Sequence, residues 1–130
     1  MKYMICFDGS NASYAALLVA KKRAKQINAK IYIVTSMVGG KNVSKEDYEN
    51  TEKLIQKAKL RVTDDNIPCE TLLSVRELTA GENLSRIAKE KAMDELYLGI
   101  KKRSKVGKLL FGSTAQYLIL NASCPVITAK

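Results

Sequence analysis

The chain has no histidine among its 130 residues. That removes the commonest general base and the commonest metal ligand. A Ser-His or Cys-His nucleophile pair cannot be built within one chain, so hydrolysis would have to rest on Asp, Glu, Lys or a metal-bound water. Cysteine is scarce. Cys6, Cys69 and Cys124 are odd in number and form no Cys-x-x-Cys pair. Cys6 lies in an apolar run and the other two border apolar runs. This reads as core or core-edge thiols in a reducing compartment, not as redox chemistry. Long hydrophobic runs are missing too, and no stretch is long enough to cross a membrane. The start, MKYMICFDGS, has one early Lys, but its apolar run is cut at Asp8, so no signal peptide is read there. A soluble, cytoplasmic protein is expected.

Acidic residues are few, 13 against 22 Lys and Arg, for a net charge of +9. Such a charge favours anionic partners (nucleotides, nucleic acid, acidic protein surfaces) without choosing among them. Lys21, Lys22, Arg23 and Lys25 form one cluster, best read as the wet face of a helix. Aromatic residues are sparse, lie mostly in apolar runs and make no RNA-recognition signature. Charge alone gives only salt-sensitive, non-specific affinity, so specific nucleic-acid binding is not expected. There is no GxGxxG after the first apolar run. Gly107-Lys108 lacks the upstream glycine of a Walker A loop and has Leu109 where that loop needs Ser or Thr.

What is present alternates strand with helix. At this length one domain with a real core is expected. Residues 2–7 form a nearly continuous apolar run, as in a parallel strand covered on both faces. Asp8-Gly9-Ser10 breaks it, with Ser10 placed to cap a helix reaching about Ile27. Ala16, Ala20, Ala24 and Ile27 recur there at helical spacing. Lys30–Ser36 is a second β-rich strand. Met37–Val43, with Gly39-Gly40, reads as a loop. Ser44-x-x-Asp47 starts a helix to about Asp64 that carries Tyr48, Ile55, Ala58 and Val62 on one face. Cys69–Val75 is a third strand and Gly81–Lys91 a short helix with Leu84, Ile87 and Ala88. Glu95–Leu98 is a fourth strand. A helix from about Gly112 to Asn121 carries Ala115, Leu118 and Ile119, and Pro125–Ala129 is the fifth strand. The expected fold is α/β: an open twisted sheet of five mainly parallel strands, Rossmann-like, with four helices on both faces and right-handed crossovers.

The most informative stretch is Glu95–Ala115, ELYLGIKKRSKVGKLLFGSTA. The run Leu96-Tyr97-Leu98 stops at Gly99, and a basic loop with Lys101, Lys102, Arg103, Ser104, Lys105 and Lys108 follows. The loop ends on Gly112-Ser113-Thr114, which can open a helix. Strand, basic loop and helix N-terminus make a local layout that can hold phosphate, because first-turn N–H groups are unpaired and carry partial positive charge. The same layout also fits a solvated basic loop. In parallel sheets ligands bind beyond the carboxyl ends of strands at the topological switch point. Asp8-Gly9-Ser10, Thr35-Ser36 and the chain from Gly99 onward should meet there.

These residues resemble the universal stress protein family of the adenine-nucleotide-binding α/β superfamily, over essentially the whole chain, residues 1–130. Ile5-Cys6-Phe7-Asp8-Gly9-Ser10 is similar to the family's first strand ending in Asp-x-Ser. The family's ATP-binding form has Gly, two residues, Gly, nine residues, then Gly-Ser or Gly-Thr. Gly99, Lys102 and Gly112-Ser113 fit that spacing, with Lys102 in place of the second glycine. Ala122-Ser123-Cys124-Pro125-Val126-Ile127 resembles the family's last helix-to-strand junction.

The resemblance implies binding of ATP or AMP, with or without Mg²⁺, in a stress-response regulatory or signalling protein. It implies that Asp8, followed by Gly9 and Ser10, contacts the ribose or adenine side, although a helix dipole would also favour an Asp there. Thr35 and Ser36 would meet adenine, largely through backbone; their plainer reading is a strand terminus. Leu98 and Gly99 would lie close to ribose and phosphates, unless Gly99 simply ends the strand. Gly112, Ser113, Thr114 and Ala115 would hold phosphate from the helix start, a role compatible with Ser113 as N-cap. Lys102 and Arg103 are candidate phosphate cations. Lys102 either obstructs a backbone that needs glycine or adds a cation beside the phosphates. A homodimer through the last strand is also implied. Two alternatives stand beside nucleotide binding: a stress protein acting through protein contacts alone, and a slow ATPase. The second lacks an evident general base.

Overall fold

The computed structural model describes residues 1–40, 42–101 and 112–130. Strand β1 (Lys2–Cys6) shows why its run is apolar throughout. Tyr3 and Ile5, with the following Phe7, enter one core, whereas Met4 and Cys6 enter another. A strand buried on both faces needs apolar residues at both phases of its two-residue period. Along the chain follow α1 (Asn11–Ile27), β2 (Lys30–Val38), α2 (Lys45–Thr63), β3 (Cys69–Arg76) and α3 (Ala80–Glu90). β4 (Glu95–Gly99), α4 (Ser113–Asn121) and β5 (Val126–Ala129) complete it. The five strands form one sheet in the order β3-β2-β1-β4-β5, and every pairing is parallel.

Helices α1 and α2 cover one face, burying Ala16, Leu17, Ala20 and Ala24 together with Ile55, Ala58 and Val62. Helices α3 and α4 cover the other with Leu84, Ile87, Ala88, Ala115 and Leu118. The small residues of α1 let its backbone lie close to the sheet. Each of the first three helices starts on a hydroxyl cap. Ser10 accepts from Ser13 N, Ser44 from Asp47 N and Thr79 from Glu82 N; each cap is worth about 1 kcal/mol. Asn28 ends α1 in the left-handed conformation, at φ 55°, which Asn tolerates better than most residues.

Several details differ from expectation. β2 runs on to Val38, into the expected loop, because β3 continues beside it and pairs Val75 with Met37 and Arg76 with Val38. β1 ends at Cys6, one residue early. Ile27, Tyr48 and Ile119 are exposed rather than buried. Ile27 lies in the last turn before the Asn28 cap, and Ile119 falls beside the buried Ala115–Leu118 stripe. The basic face of α1 is partly ion-paired: Lys21 lies 2.7 Å from Asp65, and Arg23 lies 3.1 Å from Glu95.

Candidate functional site

The strand order sets the site. From β1 the chain winds outward to β2 and β3, then returns to β4 on the other side of β1 and continues to β5. The carboxyl ends of β1 and β4, where the strand order reverses, are where parallel sheets bind ligands. A cavity of about 350 Å³ lies there, at the lower end of the range typical of small-molecule sites. Asp8, Ser10, Thr35, Ser36, Leu98, Gly99, Gly112, Ser113, Thr114 and Ala115 all line it. Sequence reasoning thus names segments at the ends of β1, β2 and β4 and at the start of α4 that fold to one place. Gly9 is not part of the wall. It turns the chain at φ +82°, under the Leu54 side chain of α2. Lys102 and Arg103 lie outside the described residues.

At the β1 end, Asp8 Oδ1 accepts from Ser10 N at 2.9 Å. Burial pushes the carboxyl's pKa up. Hydrogen bonds from Ser10 and Ser13 and the charge of Lys101 outweigh that, holding it below the usual carboxylate range. Asp8 is therefore an anion and an acceptor at the cavity wall. Next to it, burial pushes the Cys6 thiol far up, with Cys124 and Asp8 adding to the effect. Cys6 is an inert apolar wall, since only a thiolate reacts.

At the β2 end, Thr35 donates its hydroxyl to Phe7 O at 2.6 Å. Its side chain is thus occupied in tying β2 to β1, which leaves backbone as its contribution to the cavity. Ser36 Oγ accepts from Asn83 Nδ2 at 2.8 Å.

At the β4 end, Gly99 has a reason the sequence does not disclose. A Cβ there would collide with the Ala12 carbonyl and come within 2.6 Å of Ser13 N. The glycine lets the first turn of α1 pack onto the end of β4, so its first role is between protein elements.

Helix α4 opens the far wall. Its N-cap is Gly112, with no side-chain cap bond, and Ser113 is already helical. The expectation that Ser113 is a plain N-cap is corrected: its hydroxyl does not cap the helix. Gly112 adopts φ −60° and ψ 159°, which any residue can adopt. A Cβ there would meet no atom within 4 Å. Neither backbone conformation nor packing among the described residues requires glycine, so the open space over its Cα is available to a ligand. The first-turn N–H groups of α4 border that space and carry the helix's partial positive charge.

Sequence reasoning missed the contribution of α3. Ala80 and Leu84 line the cavity, and fully buried Asn83 stands behind Ser36. An asparagine on the apolar face of a helix was the available signal. Lys101, the one described cation of the wall, was part of the basic loop but was not singled out. Among the described residues no group of three Cys, Asp or Glu side chains is placed to hold a metal. No helix among them is long and apolar enough to cross a membrane.

Comparison with known proteins agrees with this geometry. The family model described as "Universal stress protein family" matches residues 1–130. A universal stress protein of Methanocaldococcus jannaschii is 26% identical over 140 residues, covering 99% of this chain and 81% of that protein. A solved universal stress protein from Archaeoglobus fulgidus superposes with a TM-score of 0.90 at 30% identity, over 100% of this chain and 98% of that one. Another structure of an A. fulgidus universal stress protein, in complex with dAMP, gives a TM-score of 0.87 at 25% identity over the same shares.

Proposed function

The chain belongs to the universal stress protein family, and from that premise we propose that it binds an adenine nucleotide, AMP or ATP, in the cavity between the ends of β1 and β4. One observation carries the reading. Gly112, a residue that neither its φ nor its packing among the described residues requires, borders a helix N-terminus opening on a cavity of mononucleotide scale. The A. fulgidus relative that holds dAMP supports the choice of ligand class.

The roles follow from position. The phosphates lie on the N–H groups of Ser113, Thr114 and Ala115, with the hydroxyls of Ser113 and Thr114 adding donors. Lys101 adds charge at the wall, and Lys102 and Arg103, next in the sequence, are further candidate phosphate cations. Asp8 accepts from ribose hydroxyls, with Gly9 and Ser10 fixing its turn. Leu98 and Gly99 let the sugar approach β4, and Thr35 and Ser36 meet the base. Mg²⁺ accompanying ATP would rely mainly on phosphate oxygens, since Asp8 is the one described carboxylate at the wall. Asp8, the one described carboxylate at the wall, has a depressed pKa and is a weak base, so binding rather than turnover is the activity proposed. The nucleotide-loaded protein acts as a stress-response regulator, as a homodimer paired through β5.

The test is Gly112→Val. Among the described residues no atom lies within 4 Å of a Cβ at this position, whereas a bound phosphate would meet the side chain. The melting temperature should move by no more than a few degrees, whereas calorimetric affinity for AMP should fall at least tenfold. Unchanged affinity in a folded variant would remove α4 as the phosphate site.

A further inference from the structure

Asn83 is fully buried on the sheet-facing side of α3, and its hydrogen bonds fix a direction at the cavity. Arg86 Nη2 donates to Asn83 Oδ1 at 2.8 Å. A guanidinium offers only donors, so the amide atom facing it must be the oxygen. Glu90, 2.6 Å from Arg86 Nη1, holds the guanidinium in turn. The Asn83 amide nitrogen therefore faces the sheet, where it donates to Ser36 Oγ at 2.8 Å and Ser74 Oγ at 3.0 Å. Those two serines are register partners across β2 and β3. Ser36 thus receives a hydrogen bond from behind and cannot return its own proton to Asn83. Among the described residues its hydroxyl proton has no acceptor, and Ser36 belongs to the cavity wall.

We propose that the Arg86–Asn83 pair turns the Ser36 hydroxyl into an oriented hydrogen-bond donor to the cavity, selecting a base with an unprotonated ring nitrogen at that edge. The inference rests on the nucleotide reading above and deepens it at the base end. Ser36 is the specificity residue, and Asn83 and Arg86 are positioning residues. If the donor relaxed, the hydroxyl could turn back toward a flipped Asn83 carbonyl, and only the Arg86 guanidinium forbids that flip. The recognised chemistry is an sp² nitrogen lone pair, present three times in adenine and replaced by C–H in each deaza analogue.

The experiment titrates AMP and its 1-deaza, 3-deaza and 7-deaza analogues into wild type, Ser36→Ala, Arg86→Met and Arg86→Lys by calorimetry. Wild type should lose about five- to tenfold in affinity for one analogue and keep the others near AMP, the effect of one hydrogen bond to a buried partner. Ser36→Ala should bind AMP about as weakly as wild type binds that analogue, with the discrimination gone. Arg86→Met should flatten discrimination, and Arg86→Lys, again a pure donor, should restore it. Discrimination that survives Ser36→Ala, or a wild type indifferent to all three analogues, overturns the assignment while leaving nucleotide binding intact. A wild type that binds no AMP at all overturns both readings, and circular dichroism of each variant separates misfolding from lost recognition.

Discussion

Two residues at the site carry opposite lessons. Gly99 and Gly112 both belong to the family's glycine pattern, yet the structure uses them differently. A side chain at Gly99 would strike the backbone of Ala12 and Ser13, which cannot give way as a flexible side chain can. Gly99→Ala should destabilise the domain by about 2 kcal/mol, the usual range for overpacking a rigid contact, read as a lower urea midpoint. An unchanged midpoint would mean that α1 is free to lift from β4. Gly112 has no such neighbour among the described residues, so its replacement is expected to act on the ligand rather than on the fold. Asp8 gives a pH signature. Its folded pKa lies below the ordinary value near 3.9. It therefore adds stability above about pH 4, which is lost as pH falls through the depressed folded pKa. In urea midpoints from pH 6 to 2, the gap between wild type and Asp8→Asn should be constant above pH 4 and shrink below it. A gap that widens toward low pH would contradict the sign. Charge and hydroxyl identities such as Asp8 and Ser36 were legible in the sequence. What Asn83 and Arg86 do to Ser36 was not, because the three meet only when α3 packs on β2 and β3.

At the scale of elements, the order of strands and helices was legible because the central strands β1 and β4 are buried at consecutive positions and each helix carries a small apolar stripe. Boundaries were less so. The end of β2 is decided by pairing with β3, a contact far along the chain from Met37. β5 is an edge strand, and the proposed dimer would pair it with a second copy. Its ladder with β4 uses the carbonyls of Pro125 and Ala129. By the alternation of a parallel ladder, the N–H of Thr128 then points to the free edge. Thr128→Pro should therefore leave the β4 ladder intact while removing an outward donor. Wild type should sediment as a dimer and Thr128→Pro as a folded monomer. A monomeric wild type, or a variant that stays dimeric, would remove β5 as the interface.

For the whole molecule, the strand order turns a linear sequence into a site. Asp8, Thr35, Gly99 and Gly112 are spread over most of the chain and meet only because β4 returns beside β1. Alternation of strand and helix implied a parallel sheet. Which strands become neighbours depends on long-range packing that no local pattern encodes. The net charge of +9 adds a field favouring an anionic ligand over a neutral nucleoside, and α4 with Lys101 focuses it at one end of the cavity. The central claim is that this cavity holds an adenine nucleotide, and the most direct test is calorimetric titration of AMP into wild-type protein stripped of bound small molecules. The account predicts saturable heat at one nucleotide per chain. The absence of saturable heat with AMP and with ATP would contradict it, and the protein would then act through its surfaces alone.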